Sequence, residues 1–178
     1  MDLEQNKVQW CIDKHKEPNY YYDTYLPYEF HLRMVVQVCK QFNSINQKLW
    51  YDLELACWGH DLIEDTRVSY NDCKNKLGTY VADIIYAVSN EKGKNRAERA
   101  NDKYYEGIRE TDGASFVKIC DRIANVQYSK MTGSKMFEMY EKENKHFINN
   151  VLKPKLRSTY LPMLNYLSNL FNTKNLTP

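Results

Sequence analysis

Glu54-Leu55-Ala56-Cys57-Trp58-Gly59-His60-Asp61-Leu62-Ile63-Glu64-Asp65-Thr66 is the stretch on which the reading of this chain turns. It sets an adjacent His-Asp pair and an adjacent Glu-Asp pair one helical turn apart, behind a mostly apolar run. Four ionisable groups at the end of a helix are costly to bury unless something there needs them. A divalent metal is the first candidate, because it accepts imidazole and carboxylate together. On a helix, His60 and Glu64 are i,i+4 neighbours, as are Asp61 and Asp65. His60 and Asp61 both reach one ion if the helix end points at it. Glu64 and Asp65 then lie where a water would need a base or an orienting group. The plainer alternative is a solvated, charged helix end, which suits Glu64 and Asp65 better than His60 and Asp61.

Two further places supply residues of the same chemistry. In Val117-Lys118-Ile119-Cys120-Asp121-Arg122-Ile123-Ala124-Asn125, Asp121 interrupts an apolar run, and Lys118, Asp121 and Asn125 share one helix face. A buried Asp needs a partner, which is either Arg122 or Lys118 in a salt bridge or a metal. His31 opens an apolar helix after Pro27-Tyr28-Glu29-Phe30, where a lone histidine serves as a structural residue or as a ligand. Taken together, His31, His60, Asp61 and Asp121 give two imidazoles and two carboxylates, with coordination positions left for water and substrate. Such mixed ligation suits Mn²⁺ or another first-row divalent ion better than a closed structural zinc site.

The rest of the 178-residue chain reads as one all-α domain, residues 1–178. Only six Gly and five Pro argue against a many-turned β architecture. Helical spacing runs from Leu3 to about His15, from Tyr28 to Phe42, and from Leu49 to Trp58 with Ser44 or Asn46 as cap. Ser69 caps a short helix ending at Gly78, and Val81, Ile84, Ile85 and Val88 mark another. A Tyr-rich loop spans Pro18 to Pro27. The polar, basic segment Ser89 to Asp102 is a loop or the start of an exposed helix. Phe116 to Val126 is a buried helix, and the last quarter gives one or two helices interrupted near Pro154 and Pro162.

Composition limits the function classes. No run of about 18 apolar residues exists, so no membrane span is expected. Met1 to Lys7 is polar and mixed in charge, unlike a signal peptide. Five cysteines form no CxxC pair, which makes a reducing cytoplasm the default location. The net charge of +2 does not by itself imply nucleic-acid binding.

The order His…His-Asp…Asp on an all-α chain resembles the HD phosphohydrolase superfamily, and within it the RelA/SpoT-type hydrolase domain and the single-domain small alarmone hydrolases of the Mesh type. The residues that carry the resemblance are Pro27-Tyr28-Glu29-Phe30-His31, His60-Asp61-Leu62-Ile63-Glu64-Asp65-Thr66, Val68-Ser69-Tyr70-Asn71-Asp72-Cys73 with Leu77-Gly78, and Lys118, Asp121 and Asn125. They fall in the family's order from about residue 20 to about residue 152. The resemblance implies an HD-domain bundle of about eight to ten helices. It also implies Mn²⁺-dependent hydrolysis of the 3′-pyrophosphate of a (p)ppGpp-like alarmone, with release of pyrophosphate through a metal-activated water. It assigns His31, His60, Asp61 and Asp121 to the metal, Glu64 and Asp65 to positioning and activating the water, and Asn125 to the ribose or phosphate region.

Phosphate binding is expected from the basic segment, with Lys92, Lys94 and Arg96 as candidates and Arg99 and Lys103 beyond. A solvated basic loop is the alternative there. Lys142 and His146 take the places of a basic residue and a Tyr that face the nucleotide in the family. The family's Arg-Lys before P-Y, whose Arg packs on the guanine, is replaced by Tyr20-Tyr21-Tyr22. Aromatic rings such as Tyr21 can stack on a base without a guanidinium, which opens the base preference. Trp58-Gly59 replaces aliphatic residues and is expected at the pocket floor. Two other functions compete: an HD phosphohydrolase acting on another nucleotide or on a pyrophosphorylated RNA 3′ end, and a non-catalytic nucleotide-binding regulator. The regulator predicts loss of a ligand or of Glu64 or Asp65, and all six residues are present.

Overall fold

Helix-forming apolar periodicity runs through most of the chain, and the computed structural model turns it into an all-α architecture. The structure describes residues 3–18, 21–45, 47–90 and 93–172. Its helices are α1 (Leu3–Lys16), α2 (Glu29–Gln41), α3 (Trp50–Gly59), α4 (Leu62–Asp65), α5 (Tyr70–Leu77), α6 (Thr79–Val88), α7 (Arg96–Arg99), α8 (Asp102–Glu110), α9 (Ala114–Thr132), α10 (Met136–Asn150) and α11 (Leu161–Asn172). Among the described residues, nine of these have eight residues or more, while α4 and α7 are single turns. Three short 3₁₀ segments, 43–45, 47–49 and 154–156, join them. No helix among the described residues is long and apolar enough to cross a membrane.

The buried helix α9 is the axis of the molecule. It packs against α2, α3, α6, α8, α10 and α11. Phe116, Val117, Ile119, Cys120, Ile123 and Ala124 on it have no solvent exposure, which explains why the stretch from Phe116 to Val126 is mainly apolar. Fully burying one such aliphatic side chain contributes about 1.5–3 kcal/mol, so a charge admitted to α9 must be compensated locally. At its start, Gly113 has φ +82°, and a Cβ there would meet Leu53, Tyr80 and Ile84 at 2.8–2.9 Å. Glycine is needed for both reasons.

Ser69 caps α5 as its sequence predicts. Its hydroxyl accepts from the Asp72 N–H at 3.3 Å, and Asp72 Oδ2 accepts from the Ser69 N–H at 2.9 Å, a capping box. Four expectations are corrected. The Tyr-rich loop contains a small antiparallel hairpin, β1 (Tyr21–Tyr22) and β2 (Leu26–Pro27), turned by Asp23 and Thr24 at positive φ. It is too short for an alternating pattern to reveal it. Ser44 sits in a 3₁₀ turn and α3 starts at Trp50 with no side-chain cap, while Asn46 lies outside the described residues. Pro162 lies in the first turn of α11, where its missing N–H costs nothing, so it does not interrupt that helix.

The fourth correction bears on function. The helix does not run unbroken from Trp50 to Asp65; it stops at Gly59, and Asp61 has φ −101° and ψ 3°. Side chains at adjacent positions of an ideal helix diverge by about 100°, so the break is what lets His60 and Asp61 face one point. Gly59 permits the close approach of this corner to α6, because a Cβ would lie 2.8 Å from Ile85 Cδ1 and 3.0 Å from Leu62 Cδ1.

Candidate active site

Three helices deliver one cluster. His31 comes from the first turn of α2, His60 from the end of α3, and Asp121 from the middle of α9; all three are buried. Each offers a ligand atom within 4.8 Å of the others. The Nε2 atoms of His31 and His60 lie 3.2 Å apart. Asp121 Oδ1 lies 3.4 Å from His31 Nε2 and 3.6 Å from His60 Nε2. Asp61 Oδ2 lies 2.9 Å from His60 Nε2 and 3.5 Å from His31 Nε2, beside the three-residue group rather than within it.

The chemistry of this donor set fits a divalent cation. His60 Nδ1 lies 2.9 Å from the Cys57 carbonyl, which fixes that nitrogen as a donor and leaves Nε2 with its lone pair in the neutral ring. His31 Nδ1 is buried without a hydrogen-bond partner among the described residues, so nothing fixes that ring's tautomer. With both Nε2 atoms turned inward at 3.2 Å beside two carboxylates, the set suits a cation. Burial disfavours a charged His60, but Asp61 and Asp121 more than offset it and raise its pKa well above the ordinary value. Burial likewise disfavours ionised Asp121, yet the Lys118 ammonium and both histidines hold its carboxyl well below the usual range. Asp121 therefore has the salt-bridge partner, and its other oxygen is left toward the donor set. Oδ2 pairs with Lys118 Nζ at 2.9 Å, while Oδ1 faces the histidines and accepts from Asn125 Nδ2 at 2.5 Å. Arg122 is not its partner.

Glu64 and Asp65 are held at the same end. Glu64 accepts from the Asn90 side-chain amide at 2.7 Å and from its N–H at 3.1 Å. Asp65 Oδ2 accepts from the Tyr28 hydroxyl at 2.7 Å, and burial with the neighbouring Asp61 charge pushes its pKa up to about 6. The same hydroxyl lies 2.5 Å from Asp61 Oδ2. Burial and these two carboxylates raise the phenol's pKa far above its usual value, so it keeps its proton.

A cavity of about 870 Å³ opens over this cluster. That is ample for a nucleotide, since small-molecule sites commonly span about 300–1,000 Å³. Its opposite wall is basic and aromatic. Arg96 donates to Glu143 at 2.8 and 3.2 Å, and Arg122 Nη1 donates to the same carboxylate at 3.0 Å. Both guanidinium groups lie over the Tyr140 ring, at 5.2 and 4.8 Å. Arg99 and the exposed Lys142 and His146 also line the cavity. Tyr21, 53% exposed, stands at its rim, and Tyr22 stacks on His31 with ring centroids 4.8 Å apart.

Several expected residues stand elsewhere. Lys94 is exposed and lies outside the cavity lining, its N–H bonded to Glu98 Oε2 at 2.8 Å. Lys92 and Tyr20 lie outside the described residues. Trp58 is buried under the Arg33 guanidinium, 5.4 Å from the ring, and takes no part in the pocket floor. Asn125 lines the cavity, but its amide group bonds Asp121 and its Oδ1 accepts from Tyr22 at 3.0 Å. Arg122, Tyr22, Tyr28, Asn90 and Glu143 shape the site without having been assigned to it from sequence. Tyr28, Arg122 and Tyr22 left a signal, by lying one helical turn before His31, next to Asp121 and in the Tyr20–Tyr22 run.

Comparisons with known proteins agree with this architecture. No family model matches the chain. Over 122 residues, 67% of this chain, it is 25% identical to the zebrafish (Danio rerio) guanosine-3′,5′-bis(diphosphate) 3′-pyrophosphohydrolase MESH1. The match spans 65% of that relative's length. Among solved structures, the fold matches a metazoan ortholog of SpoT that hydrolyzes ppGpp and plays a role in starvation responses. The TM-score is 0.73 at 19% identity, covering 99% of this chain and 97% of the other. The chain thus shares the fold of that structure, and the order of its motif residues is similar to that of the Mesh-type HD hydrolases.

Proposed function

We propose that the protein is a metal-dependent phosphohydrolase that removes the 3′-pyrophosphate from a (p)ppGpp-like nucleotide and releases pyrophosphate. One observation carries this reading: a single cavity opens on His31 and Asp121 of a His-His-Asp donor set, on two carboxylates and on a wall of arginines. The relation to MESH1, a guanosine-3′,5′-bis(diphosphate) 3′-pyrophosphohydrolase, supports the same substrate class.

A divalent cation held by His31, His60 and Asp121, with Asp61 beside them, would polarise the scissile phosphate and acidify an attacking water. Mn²⁺ is the ion expected from the resemblance. The remaining work belongs to the protein. Glu64, fixed by Asn90, and Asp65, fixed by Tyr28, orient the water and accept its proton. As the new P–O bond forms, the bond from phosphorus to the ribose 3′ oxygen breaks; that oxygen takes up a proton and pyrophosphate departs. Arg96, Arg99, Arg122 and Lys142 offset the phosphate charge from the opposite wall. Tyr21 offers a ring to the base. The five buried, unpaired cysteines are consistent with work in the reducing cytoplasm.

One observation favours a second substrate: the rim carries the exposed Tyr21 where the family's Arg would meet guanine. A ring stacks on any base, so an adenine nucleotide or a pyrophosphorylated RNA 3′ end also fits. The test is pyrophosphate release from ppGpp, pppGpp, ppApp and ordinary nucleotides with Mn²⁺. Turnover confined to 3′-pyrophosphorylated substrates is the expected result. Turnover of none of them contradicts the proposal.

A further inference from the structure

Tyr28 precedes α2, and its hydroxyl lies 2.5 Å from Asp61 Oδ2 and 2.7 Å from Asp65 Oδ2. A phenol carries one proton, so it donates fully to one of these carboxylates at a time. Asp61 Oδ2 is also the atom 2.9 Å from His60 Nε2, so it faces the donor set on one side and the phenol on the other. The ring has little freedom to withdraw. His15 stacks on it in parallel at 4.9 Å and 3°, and His31 meets it edge-on at 5.6 Å and 71°. What remains free is the direction of the O–H bond.

Building on the function proposed above, we infer that Tyr28 is a positioning residue that links cation binding at the His31–His60–Asp121 cluster to the orientation of Asp65. A cation there draws charge from Asp61 Oδ2 and weakens it as an acceptor. The O–H then turns to Asp65 Oδ2 and pins that oxygen, leaving the other carboxylate oxygen for the water. Because cation and hydroxyl compete for one oxygen, removing the hydroxyl does not weaken the cation. A hydroxyl that merely held Asp61 as a ligand would behave oppositely, its loss lowering affinity about 10- to 100-fold.

The test uses the full chain carrying Tyr28→Phe, which keeps the ring stacked on His15. Calorimetric titration with Mn²⁺ is expected to give a Kd equal to wild type or up to about fivefold tighter. On ppGpp, kcat falls about tenfold or more while KM stays within about twofold. In an Asp65→Asn background, adding Tyr28→Phe changes kcat by less than about twofold, because both act through one carboxylate. Mn²⁺ binding weakened tenfold or more, an unchanged kcat, or additive losses in the double variant would each overturn the inference. If the wild type hydrolyses no nucleotide, the proposed function fails on its own, and the Mn²⁺ titration still decides the role of Tyr28. Should Tyr28→Phe not fold, Asp65→Asn is compared with Glu64→Gln, which loses the same charge one residue away. Weaker Mn²⁺ binding to Asp65→Asn supports the link, because the hydroxyl is left on Asp61; equal or tighter binding overturns it.

Discussion

The wall that carries His31, Asp61, Asp65 and Asp121, with His60 buried behind it, and the wall that carries Arg96, Arg99, Arg122 and Lys142 face the same cavity, yet they are built differently. The first comes from the first turn of α2, the end of α3, the turn α4 and the middle of α9, where side chains packed among buried helices leave little room for adjustment. Three of its side chains are fixed by neighbours: Cys57 holds His60, Lys118 and Asn125 hold Asp121, and Tyr28 holds Asp65. The buried His31 Nδ1 has no hydrogen-bond partner among the described residues. The second wall is made of long side chains from α7, α9 and α10, of which Arg96 and Arg122 are tied together through Glu143 and stacked on Tyr140. The comparison teaches a division of labour. The rigid acidic wall sets the chemistry, and the adaptable basic wall sets how well the phosphates are held.

Substitutions that separate rate from binding break or sharpen this division. The largest effect is expected for Asp121→Ala, which removes a donor and frees Lys118 inside the core. Turnover should fall about 10³-fold or more and calorimetric Mn²⁺ binding should be lost, because the cation's charge stabilisation goes with it. Glu64→Ala and Asp65→Ala come next, lowering kcat by about 10²–10⁴-fold while Mn²⁺ still binds, as fits loss of a proton acceptor. If both variants keep full activity, the role given to these carboxylates is wrong.

On the other wall, Arg96→Ala should raise KM about tenfold with kcat within about threefold, the worth of one charge-assisted hydrogen bond. A large fall in kcat instead would move Arg96 into the chemistry and dissolve the division. Tyr21→Ala should raise KM about fivefold, near the lower end of base–aromatic stacking. Lys94→Ala should change neither constant measurably, since this side chain lies outside the cavity lining.

The contrast also explains what the sequence made legible. His60-Asp61 and Glu64-Asp65 could be read because charged groups behind an apolar run demand a reason, and Asp121 stood out in the same way within α9. His31 could be placed only beside them. Tyr28 looked like part of a motif, since nothing local shows a phenol reaching 33 and 37 residues ahead to two carboxylates. The basic wall was hardest to read, because which cation enters the cavity depends on partners far along the chain. Arg96 is turned there by Glu143, 47 positions later, whereas Lys94, two residues away, is not. The break at His60-Asp61 escaped notice for a related reason. Helical spacing is satisfied on both sides of it, and only the packing of Gly59 against Ile85 and Leu62 shows the corner.

The most direct test of the account is pyrophosphate release from ppGpp by the wild-type chain, read with Mn²⁺ present and again after the cation is removed with EDTA. The account predicts release with Mn²⁺, its loss with EDTA and its return when Mn²⁺ is added back. Release that continues unchanged in EDTA, or none from any 3′-pyrophosphorylated nucleotide with Mn²⁺, would contradict it.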